Sequence, residues 1–312
     1  MEIDMRRHAS FAGAILIVLA ILPPGPIAAM SAGWSTVFGP VGPNGSPLCT
    51  IETVDGLIVG GEFTTIGTGA YAHVALHVRA SWQPLGDGFN GDVQALVEYD
   101  GDVVAAGAFT ASGATPLSYV ARWDGSSWQP LGDNLPDGGG GLVVYDGYLH
   151  SGGWRWDSAT WSEILTADAS IAARLVHEGR LIATGSFSHI NGVTAGGIAA
   201  WDGESVSAPY PGPWIANILD LEVYQGQLMA LDGWPGYPGE VVVCAWTGEN
   251  WVSLDPPGSE YNPCYVSLAV SNGRLYTAYL RTRGGVAWLR RRGARRRPTA
   301  PASPAATSTR RP

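Results

Sequence analysis

The chain has 312 residues, with 18 arginines, no lysine and 27 acidic side chains, for a formal net charge of −9. Eight arginines fall in 290–312, so residues 1–289 carry 10 basic and 27 acidic groups, a balance of −17. An acidic body argues against nucleic acid or an anionic membrane surface as the partner.

The N-terminus predicts an export signal over 1–31. Arg6 and Arg7 precede an apolar run, Phe11–Leu22, and Pro and small residues follow it. Such a run is too short to span a bilayer and has the layout of a secretory signal peptide. The expected location is therefore secreted or cell envelope, with membrane contact only if the segment stays uncleaved. Export permits disulfides, but three cysteines (Cys49, Cys244 and Cys264) allow at most one pair. A Cys49–Cys264 bridge and independent burial both stay open.

Trp34–Gly39 reads as an orphan fourth strand, and complete units follow it. The clearest unit is Val93–Leu131, four apolar runs separated by turn residues. Val93–Tyr99 and Asp102–Phe109 are two strands joined by Asp100–Gly101, a tight-hairpin pair. Thr110–Ser118 reads as a polar loop. Tyr119–Trp123, the turn Asp124–Gly125 and Trp128–Leu131 complete a meander. Pro130 marks the last strand as an edge, because proline cannot donate to a ladder.

The turn glycine recurs as Gly56, Gly101, Gly147, Gly179, Gly226 and Gly273, and the third-strand aromatic as His77, Trp123, Trp156, Trp201, Trp246 and Trp288. Four units add a second tryptophan five residues later: Trp82, Trp128, Trp161 and Trp251. A repeat of roughly 40–50 residues with four strands predicts a β-propeller. The third unit is short, with Ser151-Gly152-Gly153 joining its second and third strands. The fourth carries Arg174 where other units place leucine or isoleucine, so either the strand slips there or a charge faces the central channel.

Leu57-Ile58-Val59-Gly60-Gly61, the later aromatic and Trp128-Gln-Pro-Leu131 resemble a kelch-type blade of the galactose-oxidase-like propellers. The fuller form, with Trp-Asp-Gly before a second tryptophan, is similar to the propellers of secreted bacterial repeat proteins and fungal cortical-marker proteins. The sixth unit shows three strands, and the N-terminus has a spare one. The expected fold is all-β, a six-bladed propeller of four-stranded antiparallel blades over 32–289, its ring closed by the N-terminal strand. Residues 290–312, rich in Arg, Pro and Ala, predict a disordered tail. A frameshift offers one explanation of this tail, since Leu-Arg-Arg-Arg codons shifted by one base read Tyr-Asp-Gly, the motif the repeat expects.

The residues suggest no catalytic centre, no cofactor and no metal. The six histidines are scattered, and neither His-x-x-x-His nor Cys-x-x-Cys occurs. His73 and His77 lie too far apart along a strand to chelate easily. Asp124-Gly-Ser-Ser-Trp128 departs from a sialidase Asp-box, whose Asp and Gly are two apart, so its aspartate reads as a hairpin former. Of 13 tryptophans, Trp154, Trp214 and Trp234 fall outside the repeat positions. Tyr210-Pro-Gly-Pro-Trp214 and Trp234-Pro-Gly-Tyr237-Pro should open on one face. Rigid loops presenting Tyr210, Trp214, Trp234 and Tyr237 suit stacking on sugar rings or gripping a chain. The expected function is a non-enzymatic binding or structural module with a protein or carbohydrate partner at the cell surface. The alternative is a degenerate galactose-oxidase-like or glycan-active enzyme.

Overall fold

The structure, a computed structural model, describes residues 42–79, 81–133, 135, 141–210, 218–233, 241–254, 264–271, 274–280 and 288–291. Alternating apolar residues and tight turns build the first sheet from β1 (Pro47–Thr53), β2 (Gly56–Gly61), β5 (Val74–Val78) and β6 (Ser81–Pro84), with β3 (Thr65–Ile66) and β4 (Gly69–Ala70) forming a separate small hairpin between β2 and β5. The second repeats this plan: β7 (Val93–Tyr99), β8 (Asp102–Gly107), the hairpin β9 (Ala111–Ser112) and β10 (Thr115–Pro116), then β11 (Val120–Trp123) and β12 (Trp128–Pro130). The third has no such hairpin and consists of β13 (Leu142–Tyr145), β14 (Tyr148–Ser151), β15 (Trp154–Trp156) and β16 (Trp161–Glu163). In the fourth, β17 (Ile171–His177), β18 (Arg180–Gly185), β21 (Ile198–Trp201) and β22 (Val206–Ser207) make the sheet, and β19 (His189–Ile190) with β20 (Val193–Thr194) the hairpin. The fifth contains β23 (Ile218–Tyr224), β24 (Gln227–Gly233), β25 (Val241–Trp246) and β26 (Trp251–Ser253). The sixth contains β27 (Cys264–Ser271), β28 (Arg274–Leu280) and β29 (Trp288–Arg291).

Every sheet is an antiparallel meander. The first strands of successive sheets pack on one another, β1 on β7, β7 on β13, β13 on β17, β17 on β23 and β23 on β27, while the fourth strand of each four-stranded sheet is an outer edge. The apolar core is correspondingly divided into clusters between sheets. Cys49, Ile58 and Val74 of the first meet Val93, Ala105 and Trp128 of the second. Val104 and Val120 of the second meet Leu149 and Trp156 of the third. No sheet buries its faces alone, which is the stabilising logic of a propeller.

The protein is an all-β propeller, but with five four-stranded blades rather than six. The sixth sheet has three strands, and no ladder joins it to the first sheet among the described residues. Counting each recurring turn glycine as a blade led to the larger number. Beyond Trp288 the Trp-x-x-Leu text of a fourth strand is replaced by arginines, which supply no apolar edge for the ladder. The expected closing strand, Trp34–Gly39, lies outside the described residues. Pairing in β29 runs to Arg291, past the expected boundary at 289.

Two local readings are settled by register. Asp100 and Gly101 both take positive φ (53° and 84°), the requirement of a two-residue hairpin. The β17–β18 ladder shifts between Ala173 and Leu175, so the strand slips and Arg174 is the extra residue of a bulge. The first, second, fifth and sixth sheets place the equivalent bulge earlier in their first strands, between Pro47 and Cys49, Val93 and Ala95, Ile218 and Asp220, and Tyr265 and Ser267. Cys49 is a free thiol that donates to the Val93 carbonyl, and burial pushes its pKa far up. The cysteine of β1 is therefore buried independently.

Candidate functional site

The segment expected to be a polar loop, Thr110–Ser118, contains the hairpin β9–β10, and its counterparts β3–β4 and β19–β20 stand on the same face. The link between successive sheets fixes this arrangement. Asn44 Oδ1 accepts from the Thr64 and Thr65 amides (2.8 and 2.9 Å), and Asn44 Nδ2 donates to Thr64 Oγ1 (2.9 Å). Asn90 does the same to Thr110 and Ala111 at 2.8 and 2.9 Å. Asp168 takes this place in the fourth blade, accepting from the Ser188 and His189 amides at 2.8 and 3.0 Å. These bonds hold the Asp168 carboxyl well below the usual carboxylate range, the His189 amide contributing most. Each cap ties the segment entering a first strand to the hairpin leaving the second.

Asn90→Ala should free two amides and cost about 1 kcal/mol, the scale of other side-chain caps. Faster hydrogen exchange at Thr110 and Ala111, with β11 and β12 unaffected, is the check. Exchange unchanged at both amides would show that the cap contributes nothing.

Ser188, His189 and Asp168 superficially combine the residue types of a hydrolytic triad. His189 Nδ1, however, faces both Ser188 Oγ (2.9 Å) and Asp168 Oδ2 (3.2 Å), and the hydroxyl donates directly to that carboxylate, whereas a triad sets the hydroxyl and the carboxylate on opposite ring nitrogens. The three side chains form a cap. Among the described residues no three His, Cys, Asp or Glu side chains gather where a metal ion could be held.

The hairpin face and the tight-turn face differ in chemistry. Thr64, Thr110, Ser186, Ser188 and Asn191 are exposed on and beside the hairpins, a surface of hydroxyls and amides that also carries Asp87, Asp168 and His189. The opposite face exposes Asp55, Asp100, Asp124, Asp146, Asp157 and Asp202. Their role at the third-to-fourth-strand turns is structural, as expected for hairpin formers. Asp124 Oδ1 accepts from the Ser126 and Ser127 amides at 2.8 Å each, and Asp202 Oδ1 from Glu204 and Ser205 at 3.0 and 2.8 Å.

Tyr210 is 4 % exposed, its ring 5.3 Å from Trp246 and 6.2 Å from Trp251. It occupies the inter-blade position that Leu131 fills against Trp156 and Trp161 two junctions earlier. Burial pushes its phenol pKa up. Trp214, Trp234 and Tyr237 lie outside the described residues. Trp154 pairs with Glu163 in the third blade and is packed against the Val104 cluster.

One acidic pair on an inner strand has no marker in the repeat. Asp220 Oδ2 accepts from the Leu268 amide (2.9 Å), binding the fifth blade to the sixth sheet. Glu222, two residues on, is pushed up to about 7, by burial first and then by the Asp220 charge.

No protein-family model matches the chain, and no curated protein does. Solved structures with similar folds include a puromycin-hydrolysing peptidase of Mycobacterium tuberculosis (13 % identity, TM-score 0.46, 75 % of this chain), the WD40 β-propeller domain of Doa1 (12 %, 0.39, 73 % of this chain and 87 % of that one), and an α-L-arabinofuranosidase of Clostridium thermocellum (12 %, 0.32, 74 % and 80 %). The chain spans 40 % of the peptidase's length. By its own sheets and their packing, the chain is a β-propeller repeat protein.

Proposed function

We propose that this propeller is an exported binding module whose hairpin face holds a glycan or protein partner without chemistry. The observation that carries the reading is the difference between faces. Hydroxyl and amide groups on rigidly capped hairpins match a polar ligand, whereas the turn face presents carboxylates, of which Asp124, Asp157 and Asp202 are bonded within their own turns. The caps pre-order the surface, which reduces the entropy lost on binding. The apolar run Phe11–Leu22 supports export, and the kelch-like residues support a binding or structural role in place of catalysis. The Pro/Gly loops bearing Trp214 and Trp234 would add stacking surface beside these hairpins.

Calorimetric titration of the full chain with neutral oligosaccharides, alongside pull-down with cell-envelope extract, tests the proposal. Trp214→Ala, Trp234→Ala and Thr110→Glu should each weaken binding about tenfold or more, near 1.4 kcal/mol. Asp100→Asn on the turn face should leave it unchanged. Binding that survives all three hairpin-face changes and falls with the turn-face change would overturn the reading.

A further inference from the structure

The third blade holds a histidine that its surroundings accept only without charge. His150 lies on β14, where the second blade has Val104, and is 1 % exposed. Neither ring nitrogen has a well-formed hydrogen bond among the described residues. The ring is 5.9 Å from Tyr145 on β13 and 5.7 Å from Trp201 of the fourth blade, edge-on to both. Leu181, Ala183 and Ala199 complete the fourth blade's apolar wall at this junction, joined by Val143 and Tyr145 from the third. Among charged groups, Arg155 is the ladder partner of His150 on β15, Asp146 follows Tyr145 in the turn, and Asp202 follows Trp201.

We propose that the junction between the third and fourth blades is an acid-sensitive latch, closed while His150 is neutral and loosened when it takes a proton. A cation there would have no well-placed acceptor beyond the nearby Tyr145 carbonyl, would sit beside the Arg155 charge and would be shut away from water. Burial accordingly pushes the imidazole down to about 4, with Arg155 adding to the effect and the Tyr145 backbone and Asp146 opposing it. The third blade is also poorly placed to resist opening. It lacks the capped hairpin of its neighbours, and its β13 has four residues where β7 and β17 have seven.

The folded-state pKa is below that of a free imidazole, near 6.5, so the stabilisation is complete above pH 6.5. It is lost as pH falls from 6.5 to about 4. Within this window the folded-to-unfolded ratio should fall by up to about tenfold per pH unit on account of this one group. Glu222 acts in the opposite direction, since its raised pKa costs stability as pH rises from 4.5 towards 7. His77, also lowered by burial, acts in the same direction as His150. Comparison with a variant isolates the latch.

The experiment follows denaturant unfolding of the full chain at pH 7.5, 5.5 and 4.5, for the parent and for His150→Val, the residue of the second blade. The variant should lose markedly less stability between pH 7.5 and 4.5, with a difference of tenfold or more in the unfolding constant. Hydrogen exchange in the parent at pH 4.5 should accelerate first in β13, β14 and β18. Should the variant fail to fold, imidazole titration of the parent by NMR decides. A His150 ring still neutral at pH 5 supports the latch. A ring titrating near 6.5, or identical pH dependence in parent and variant, overturns it.

Discussion

Trp128→Ala is expected to cost about 4 kcal/mol, the upper range for removing a buried aromatic, and to lower the unfolding midpoint of the propeller. Trp128 is 1 % exposed, tilts against Trp123 at 5.3 Å and Phe89 at 4.7 Å, and donates from Nε1 to the Leu85 carbonyl of the preceding blade at 3.1 Å. Trp161 repeats the bond to Leu131 at 2.8 Å. The residue after that leucine must be small. A Cβ built on Gly132 would meet the Trp156 ring at 2.4 Å, and the backbone there has a φ of +73°. Leucine carbonyl, glycine and paired tryptophans thus form one inter-blade fastening. Trp128→Phe separates its parts, because it keeps most of the ring but leaves the Leu85 carbonyl bare, at about 1–2 kcal/mol. The indole Nε1 of Trp251 has no acceptor among the described residues, so Trp251→Phe should cost clearly less. Chemical denaturation of the three variants gives the order. Equal costs for Trp128→Phe and Trp251→Phe would show that the hydrogen bond contributes nothing.

This fastening was partly legible in the chain, because tryptophan five residues after an aromatic is a strong repeat marker. The spacing was read only as a repeat marker, and the structure brings the rings together: His77 with Trp82 at 4.8 Å, Trp156 with Trp161 at 5.5 Å and Trp246 with Trp251 at 5.4 Å. Their acceptors could not be foreseen, since a backbone carbonyl carries no residue signature. Tyr210 was misplaced for a related reason. It follows a degenerate fourth strand in which Val206 replaces tryptophan, and among prolines and glycines it reads as a loop aromatic. Its neighbours Trp246 and Trp251 demand an apolar cover, and Tyr210 supplies it.

The hairpins of the candidate binding face escaped detection because each strand has two residues, too few for any periodicity to register. A weaker signal was available. Asn44 to Thr64, Asn90 to Thr110 and Asp168 to Ser188 are each 20 residues apart. A polar cap repeated at constant distance from a hydroxyl residue marks a recurring long-range bond. Blade number was legible only as the number of repeats begun. Among the described residues a fourth strand accompanies five of the six repeats begun.

Gly107→Ala should be at least as damaging as any core truncation relative to its size, at about 3 kcal/mol or more for one methyl group. A Cβ on Gly107 would sit 2.0 Å from the Asp92 carbonyl oxygen, and the corresponding distances are 2.1 Å for Gly61 to Ser46 and 1.9 Å for Gly185 to Ser170. These carbonyls cannot withdraw cheaply. Each accepts from the amide of the residue after the glycine: Asp92 from Ala108 at 2.9 Å, Ser46 from Glu62 at 2.8 Å and Ser170 from Ser186 at 3.2 Å. The added methyl must therefore either break that bond or push the entering segment, with the Asn90 cap it carries, away from the hairpin β9–β10. Overpacking of a rigid site commonly costs 1–3 kcal/mol, and the lost backbone bond adds to it. Gly101→Ala is the matched control. Its Cβ would meet nothing within 4 Å, and only its φ of +84° is unfavourable to alanine, so it should cost about 1 kcal/mol. Thermal unfolding of both variants, with hydrogen exchange at Thr110 and Ala111, distinguishes crowding from backbone strain. Crowding predicts that Gly107→Ala loses the larger share of stability and exposes both hairpin amides. If the two alanines cost the same and the amides stay protected, the second-strand glycines are kept for flexibility alone, and the close approach of the entering segment is not what holds the binding face in place.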